Sequence, residues 1–418
     1  MKVLFVVKSK SIETLGVMYL AAVVKQCGHD ARIWDIDYAN KIKNEYREYD
    51  PDIVGFSIMT GDRHKFQGLR LWLLSHYKST TKTPTFIVGG HDPSLFPQGY
   101  EWADMIISGE AEQTLAELLG SHIKYPNLDN IPWPDRSDFP NMKIRDFIAS
   151  RGCSWGVCGY CYNSAWNRLF PELKKVRHRS VNDVVKEIVS VNPQFAYFQD
   201  STFAPNIKWM REFSRQYRSV RIPYHVHLRP NMVNEERVLL LHDSNCVSCK
   251  IALETGSDSL RKLINRGNTN NEDAINASKL FRKWDIALIM QNILALPSST
   301  IEDDLETLEI NIRCKPAYAW SSIFQPYPAT DLAIYCEKNG LYSGDYSEIG
   351  DNFFDKSVLN ISEEHKEQVV ALQRIFAFCT EHQVMPKVED LTLANIPNFI
   401  NKTMRGIGDK RMFPGVQL

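Results

Sequence analysis

Short apolar runs closed by glycine or polar residues alternate with longer stretches whose apolar side chains recur at helical spacing. Residues 3–7 read as a buried strand. Residues 14–27 follow as a helix, with Leu15, Met18, Leu20 and Val24 on one spacing and Gly28 as the stop. Strands are expected at 31–35, 52–57, 85–88 and 104–107, and helices over 65–76 and from Glu112. Strands and helices alternating in this way build a parallel, doubly wound, Rossmann-like α/β sheet. Ligands of such sheets bind outside the carboxyl ends of the strands.

A second α/β region follows. Residues 125–140 are rich in Pro, Asn and Asp, a composition that disfavours helix and marks a boundary. Beyond it, strand-like runs recur at 144–150, 195–199, 224–228, 248–254, 286–294 and 321–325, separated by helical patterns such as 181–191, 234–242, 274–284 and 301–313. Six β/α units make a partial (β/α)6, TIM-like barrel rather than the closed eight-stranded one. The last eighty residues hold an irregular stretch after Gly340, a helix over 363–382 and a closing segment at 405–414, a mostly helical region expected to cap the barrel mouth and shape a substrate pocket. The expected organisation is therefore 1–124, a linker at 125–142, a barrel at 143–335 and a C-terminal helical region at 336–418.

Length and charge narrow the class. At 418 residues the chain has room for two or three cores, at about 150 residues per domain. A formal charge of −1 gives no bulk attraction for nucleic acid or a membrane surface. The N-terminal apolar run lacks the flanks of a signal peptide, and no run reaches the roughly 18 apolar residues of a bilayer span. The expectation is a cytoplasmic protein with neither nucleic-acid nor membrane partners. Nine cysteines, an odd and unevenly spread count, argue against a disulfide framework.

One group of thiols stands apart. Cys153, Cys158 and Cys161 fall on a single loop. Four-ligand zinc needs another Cys or His at short range, and residues 163–167 offer neither. Three thiolates suit a four-iron cluster with one iron left open. The alternative is three buried thiols packing as small hydrophobes. Glycine-bearing turns also gather at the expected strand ends of the first region, where backbone can approach a large ligand. A Rossmann-like domain that binds nothing is the competing reading there. Cys246 and Cys249 have redox spacing, but the second falls inside an expected strand, so core packing is the better account.

The cysteine loop, with Tyr160 before the last thiol, resembles the signature of the radical S-adenosylmethionine (SAM) enzymes, though the first gap is four residues rather than three. The glycine turns resemble the cobalamin-binding domain at the N-terminus of one large class of these enzymes, through Leu15 and Gly16, Thr60 to Arg63 (with Gly61 and Asp62), Gly89, Gly90 and His91, and Ser108, Gly109 and Glu110. The Asp-x-His-x-x-Gly motif that supplies cobalt with a histidine is missing after the first strand. Asp62-Arg-His64 is superficially similar but follows a later strand, with Gly68 one position too far. The resemblance thus implies cobalamin without a protein histidine ligand, and residues 59–63 beneath the corrin.

In the barrel the resemblance implies that Cys153, Cys158 and Cys161 hold a [4Fe-4S] cluster. Asp200 would receive the methionine ammonium of SAM, and Arg229 would pair with its carboxylate. Glu254, in the segment ending at Ser257, would address the ribose, and Asn292 lies on the adenine-side strand. The implied reaction begins with reductive cleavage of SAM to a 5′-deoxyadenosyl radical, which abstracts hydrogen from an unactivated carbon; methylcobalamin then delivers a methyl group. An electron donor such as flavodoxin or ferredoxin and a small-molecule or peptide substrate are the implied partners. Two rivals remain: a cobalamin-using radical enzyme that cyclises, contracts or rearranges without methylating, and a non-enzymatic cofactor-binding protein. A methylthiotransferase would bring three more cysteines in its N-terminal domain, and only Cys27 precedes residue 150.

Overall fold

Val3, Leu4, Val6 and Val7 lose nearly all solvent contact, as a parallel strand covered on both faces requires. A computed structural model describes residues 1–36, 46, 48–76 and 83–412. These form two units, the first holding 1–226 with Tyr327–Asp331 and Tyr346–Asp351, the second holding 227–326, 332–345 and 352 onward.

The first unit begins with five strands: β1 (Lys2–Val7), β2 (Asp30–Asp35), β3 (Ile53–Ser57), β4 (Thr85–Gly89) and β5 (Met105–Ile107). They pair in parallel in the order β2-β1-β3-β4-β5. Their connections include α1 (Leu15–Gln26), α2 (Arg63–His76), the short α3 (His91–Leu95) and α4 (Glu112–Leu118). Alternation along the strands produces two cores. Val3, Phe5, Val7, Ile53 and Ile87 pack against Leu15, Met18 and Leu115 of α1 and α4. Leu4, Val6, Val54 and Phe86 pack against Phe66, Leu69 and Leu73 of α2. Strand order reverses between β1 and β3, which opens a crevice at their carboxyl ends.

Residues 125–142 are not a loose tether. Leu128, Ile131 and Phe139 are buried in the same core as α1, and Asp138 accepts the N–H of Ile33 at 2.7 Å. The Pro-rich composition reports missing secondary structure rather than missing contacts.

The six-stranded sheet is built from β6 (Ile144–Phe147), β9 (Phe195–Phe198), β10 (Tyr224–Leu228), β11 (Cys246–Glu254), β12 (Ala287–Leu294) and β13 (Tyr318–Ile323), in the order β13-β12-β11-β10-β9-β6. β10 is shared, its first three residues in the first unit and its last two in the second. A small antiparallel pair, β7 (Ser150–Arg151) with β8 (Arg177–His178), flanks the cysteine loop. Around it lie α5 (Tyr162–Leu169), α6 (Val181–Val191) and α7 (Ile207–Tyr217).

In the second unit α8 (Glu235–Asp243), α9 (Asp258–Leu263), α10 (Asn271–Lys283) and α11 (Ile301–Cys314) connect the strands. Reciprocal caps fix two starts, Asn270 with Asp273 and Thr300 with Asp303. The last strand starts three residues earlier than the pattern predicts, because Lys315 closes α11 in the left-handed conformation and Pro316 prevents its continuation. After α12 (Asp331–Lys338), helix α13 (Glu363–His382) buries Val369, Leu372, Ile375 and Phe376 against Ala319 and Ile323 of β13 and Leu308 of α11. It therefore joins the helical layer beside α11. Helix α14 (Ile396–Met412) packs Ile396, Phe399 and Ile400 on that core. Residues 413 and 414 of the expected closing segment lie outside the described residues.

A buried ionic network ties the first unit together. Glu13, between β1 and α1, accepts from Arg136, from Arg145 at 2.7 Å and from the Asp146 N–H at 2.7 Å. Arg136 also reaches Glu187 of α6 at 3.0 Å, and Glu187 accepts from Arg179 at 2.6 Å. Glu13 and Glu187 are almost fully buried. Removing one partner of such a group strands a charge without solvent. Arg136→Ala is expected to lower the unfolding free energy by about 3–5 kcal/mol in urea titrations; a loss below about 1 kcal/mol, the range of exposed pairs, would show that Glu13 and Glu187 do not depend on it.

Candidate functional site

The cysteine loop leaves β7 at Gly152 and closes on α5, whose N-cap position is Cys161. Asn167 of α5 donates to the Gly156 carbonyl at 2.9 Å and pins the middle of the loop. Cys158 is buried and the other two thiols are partly buried, as is Tyr160 between them. Asn163 donates toward Cys161 Sγ at 3.6 Å, and Cys153 Sγ lies 3.7 Å from Thr202 Oγ1. Burial pushes the Cys161 thiol up to about 12, and the charges of Cys158 and Cys153 push the same way. Cys153 and Cys158 thus lie close enough to oppose the ionisation of Cys161. A bound cation reverses that balance and makes the thiolates the stable form, so the donor set fits an iron-sulfur cluster. Among the described residues no three His, Cys, Asp or Glu side chains converge as they would around a single ion. Cluster thiolates each bind a different iron and need not converge.

Beside the loop, and inside the same unit, is a cavity of about 380 Å³, within the range of small-molecule and cofactor sites. Its floor is an apolar slot lined by Val3, Phe5, Val17, Leu20, Ile87 and Leu115. Its rim carries Gly16, Gly89, Gly90, His91, Gly109 and Glu110 from the carboxyl-end turns, facing Tyr162, Asn163 and Trp166 from α5. Gly90 has φ +104, and a Cβ there would sit 3.0 Å from the Ile58 carbonyl oxygen. Only glycine lets the chain turn so closely at that point.

Aromatic packing joins the two walls. The His91 ring lies 4.2 Å from Tyr162, edge-on, and 5.9 Å from Trp166, which is 4.8 Å from Phe170. Ionic contacts add to it. Arg151 bridges to Glu112 at 2.5 Å and Glu110 at 3.3 Å, and Arg177 pairs with Glu110 as well. These cations hold the Glu110 carboxyl below its usual range despite its burial. The sequence reading missed Arg151, Arg177, Asn163 and Trp166. The spacing of Tyr162, Trp166 and Phe170 after Cys161 was the available signal for α5.

Several expected contacts lie elsewhere. Leu15 is a core residue of α1, and Ser108 is exposed but not on the cavity wall. Thr60, Gly61, Asp62 and Arg63 do not line the cavity either: Asp62 pairs with Lys8 at 3.0 Å, and Arg63 with buried Asp92 at 2.8 Å. Both Asp200 oxygens are engaged, one by the Ala149 N–H at 2.9 Å and one by Ser150 Oγ at 2.5 Å. In these contacts Asp200 secures the chain entering the cysteine loop. In the second unit Glu254 ends β11 with φ +67, 3.7 Å from Arg266, and Ser257 precedes α9 at its N-cap position. Arg229 follows β10 and is half-buried. Asn292 has no solvent exposure; its amide exchanges bonds with Asn311 at 3.1 and 2.8 Å and donates to the Trp320 carbonyl. It is a core amide pair, satisfied within the protein. Cys246 and Cys249 are buried thiols of β11.

Comparison with known proteins divides the chain in a matching way. Residues 1–119 match the B12 binding domain, and residues 147–310 match the Radical SAM superfamily. An uncharacterized methyltransferase of Pyrococcus horikoshii is 24% identical over 379 residues, covering 78% of this chain and 79% of its own. The radical SAM methyltransferase TsrM from Kitasatospora setae, solved with cobalamin and a [4Fe-4S] cluster and also with tryptophan and a SAM analogue, shares the fold. With the tryptophan-bound form the TM-score is 0.65 at 16% identity, over 81% of this chain and 76% of that one. The cobalamin-dependent SAM radical enzyme OxsB, with aqua-cobalamin bound, gives 0.62 at 18% identity, over 83% and 56%.

Burial pushes the Asp200 carboxyl up to about 6, against the Ser150 hydroxyl and backbone N–H groups that favour its anion. Folding therefore favours the protonated form. That contribution is complete below the ordinary carboxylate range and is lost as pH rises through 6. Asp200→Asn, neutral throughout, is expected to gain about 2 kcal/mol on the parent when unfolding is compared at pH 8 and pH 4.5. An identical pH response of the two proteins would contradict the assignment.

Proposed function

We propose, for a chain that is a cobalamin-dependent radical SAM enzyme, methyl transfer to an unactivated carbon as the reaction. One observation carries the reading: α5 begins at a cluster cysteine, and its next turns form a wall of the cavity whose other wall is the glycine turns of the B12-matching region. The methyltransferase names of the Pyrococcus relative and of TsrM support the choice of reaction.

The residues present fit the groups this requires. Cys153, Cys158 and Cys161 would hold the cluster, with Asn163 and Thr202 beside its sulfurs. The apolar slot would take a flat aromatic group such as the nucleotide base of cobalamin, and the glycine rim would let backbone N–H groups meet amides and a phosphate. When bound, the cluster and SAM supply hydrogen abstraction by a carbon radical, and methylcobalamin supplies the methyl group. The chain's own work is positional. Arg151 and Arg177 clamp the loop to Glu110 and Glu112, Asp200 fixes its entry, and the ring contacts of His91 with Tyr162 and Trp166 hold the two cavity walls together. The reading calls for a one-electron donor of flavodoxin or ferredoxin type, a small-molecule or peptide substrate, and the reducing cytoplasm. No described helix is long and apolar enough to cross a membrane.

Cys158→Ala is expected to abolish 5′-deoxyadenosine formation by anaerobically reconstituted protein while leaving corrinoid uptake intact; retained cleavage would refute the cluster assignment. Product from SAM labelled on its methyl carbon should carry the label, and an unlabelled product would instead indicate cyclisation, ring contraction or rearrangement.

Gly16 faces open space, where a larger side chain meets no atom of the fold within 4 Å of its Cβ. Gly16→Trp should then fill the cavity and weaken corrinoid uptake at least about tenfold, with the melting temperature little changed; undiminished uptake would place the corrinoid elsewhere.

A further inference from the structure

We infer that an exposed basic surface beside Cys153, made by Lys174 and Lys175 with Lys208 and Arg211 of α7, is the dock for a small acidic one-electron carrier protein. This rests on the function proposed above, which needs an electron at the cluster, and adds the place where that electron is delivered.

The two ends of the cysteine loop lead to different surroundings. Cys161 opens α5, whose next turns wall the cavity. Cys153 leads outward: Ser154 after it is exposed, and Trp155 and Val157 are partly exposed. The β7–β8 hairpin brings a second stretch of chain alongside this end. Its register sets Ser150 against His178 and Arg151 against Arg177. The contact runs on past the paired residues, since a Cβ on Gly152 would lie 3.4 Å from the Lys175 carbonyl oxygen and from the Val176 Cα. Lys175 therefore packs against the residue that precedes the first thiol. Helix α7 reaches the same end by another route. Thr202, ahead of the helix, has its Oγ1 3.7 Å from Cys153 Sγ. Trp209 in its first turn stacks on His178 at 5.8 Å and donates to the Arg179 carbonyl at 2.8 Å. Met210, Phe213 and Tyr217 are buried, while Lys208, Arg211 and Arg215 recur at helical spacing on the outer side, all exposed.

These cations are placed differently from their neighbours. Arg177 and Arg179 of the same hairpin region are turned to Glu110 and Glu187. Lys174, Lys175 and Lys208 are exposed, and among the described residues none of the three has an ion-pair partner. The acids interleaved with them, Glu172 and Glu212, are outnumbered. In a chain whose formal charge is −1 this is a local field and not a bulk one. Such a patch draws in and orients an acidic surface and raises its rate of encounter. A carrier protein suits it better than RNA, because Trp209, beside Lys208, is already stacked on His178 and offers no platform for a base. The patch also borders the electron's destination. In the transfer the carrier's anionic flavin hydroquinone loses one electron and becomes the neutral semiquinone, and the cluster passes from its 2+ to its 1+ state. No bond forms or breaks.

The test mixes anaerobically reconstituted full-length protein with flavodoxin hydroquinone and follows bleaching of the cluster by stopped flow, with flavodoxin affinity measured alongside. Two double variants, Lys174→Glu with Lys175→Glu and Lys208→Glu with Arg211→Glu, should each slow reduction and weaken binding at least about tenfold at low ionic strength. The difference should shrink at about 0.5 M salt, where exposed charges are screened. Lys143→Glu makes the same change of charge at an exposed site just before β6, at the strand end away from the loop, and should match the parent. Reduced methyl viologen, a small reductant that needs no dock, should be slowed in none of them. Unchanged flavodoxin rates in both double variants would overturn the inference, even where these lose affinity for transfer RNA. An equal slowing with methyl viologen would overturn it too, by showing damage to the loop itself. A parent that holds no cluster, or one that methyl viologen cannot reduce, defeats instead the proposed function.

Discussion

A carboxylate can be taken out of water only where cations and donors meet it, and the first unit is arranged around that constraint. Glu13 and Glu187 are both almost fully buried, and each is met by two arginines, Arg136 serving both. The residues so joined come from the connection after β1, from the stretch read as a linker, from β6, from the β8–α6 connection and from α6. Burial alone would hold these elements as neighbours. The ionic network also fixes how they meet, because a buried charge tolerates no slippage away from its partner.

A second set of charges does the same at the site. Glu110 lies in the turn after β5 and Glu112 at the start of α4, Arg151 and Arg177 in the small hairpin around the cysteine loop. The loop is therefore not free to choose its distance from the glycine turns. Helix α5 completes the arrangement, since it starts at Cys161 and turns its aromatic face toward His91. The B12-matching and radical SAM regions thereby share a wall.

Strands buried on both faces write long apolar runs, so β1 to β5 and most of the later strands were legible to within one or two residues. The three thiols were legible because their spacing has few structural uses. Polar residues at strand ends were not, and the reason is physical. A side chain such as Asp200 or Asn292 reads the same whether its partner is a ligand or the protein, and here Ala149, Ser150, Asn311 and Trp320 supply the partners. The turn at Thr60 to Arg63 illustrates the same limit, since Arg63 finds its partner in Asp92 and Asp62 in Lys8, both distant in sequence. Glu13, Arg136 and Glu187 gave no local signal at all, since Arg136 lies 123 residues from Glu13 and 51 from Glu187.

The buried stretch between the two matched regions bears on modularity. Leu128, Ile131 and Phe139 complete the core beneath α1, and Asp138 closes an open hydrogen-bond position on the edge strand β2. A gene fragment ending at residue 124 would encode the sheet without part of its own interior. Exchange of this vitamin-binding half between related enzymes, by recombination or in the laboratory, must therefore carry the crossover past residue 139 and bring Arg136 with it, which makes the natural splice point lie inside what composition marks as spacer.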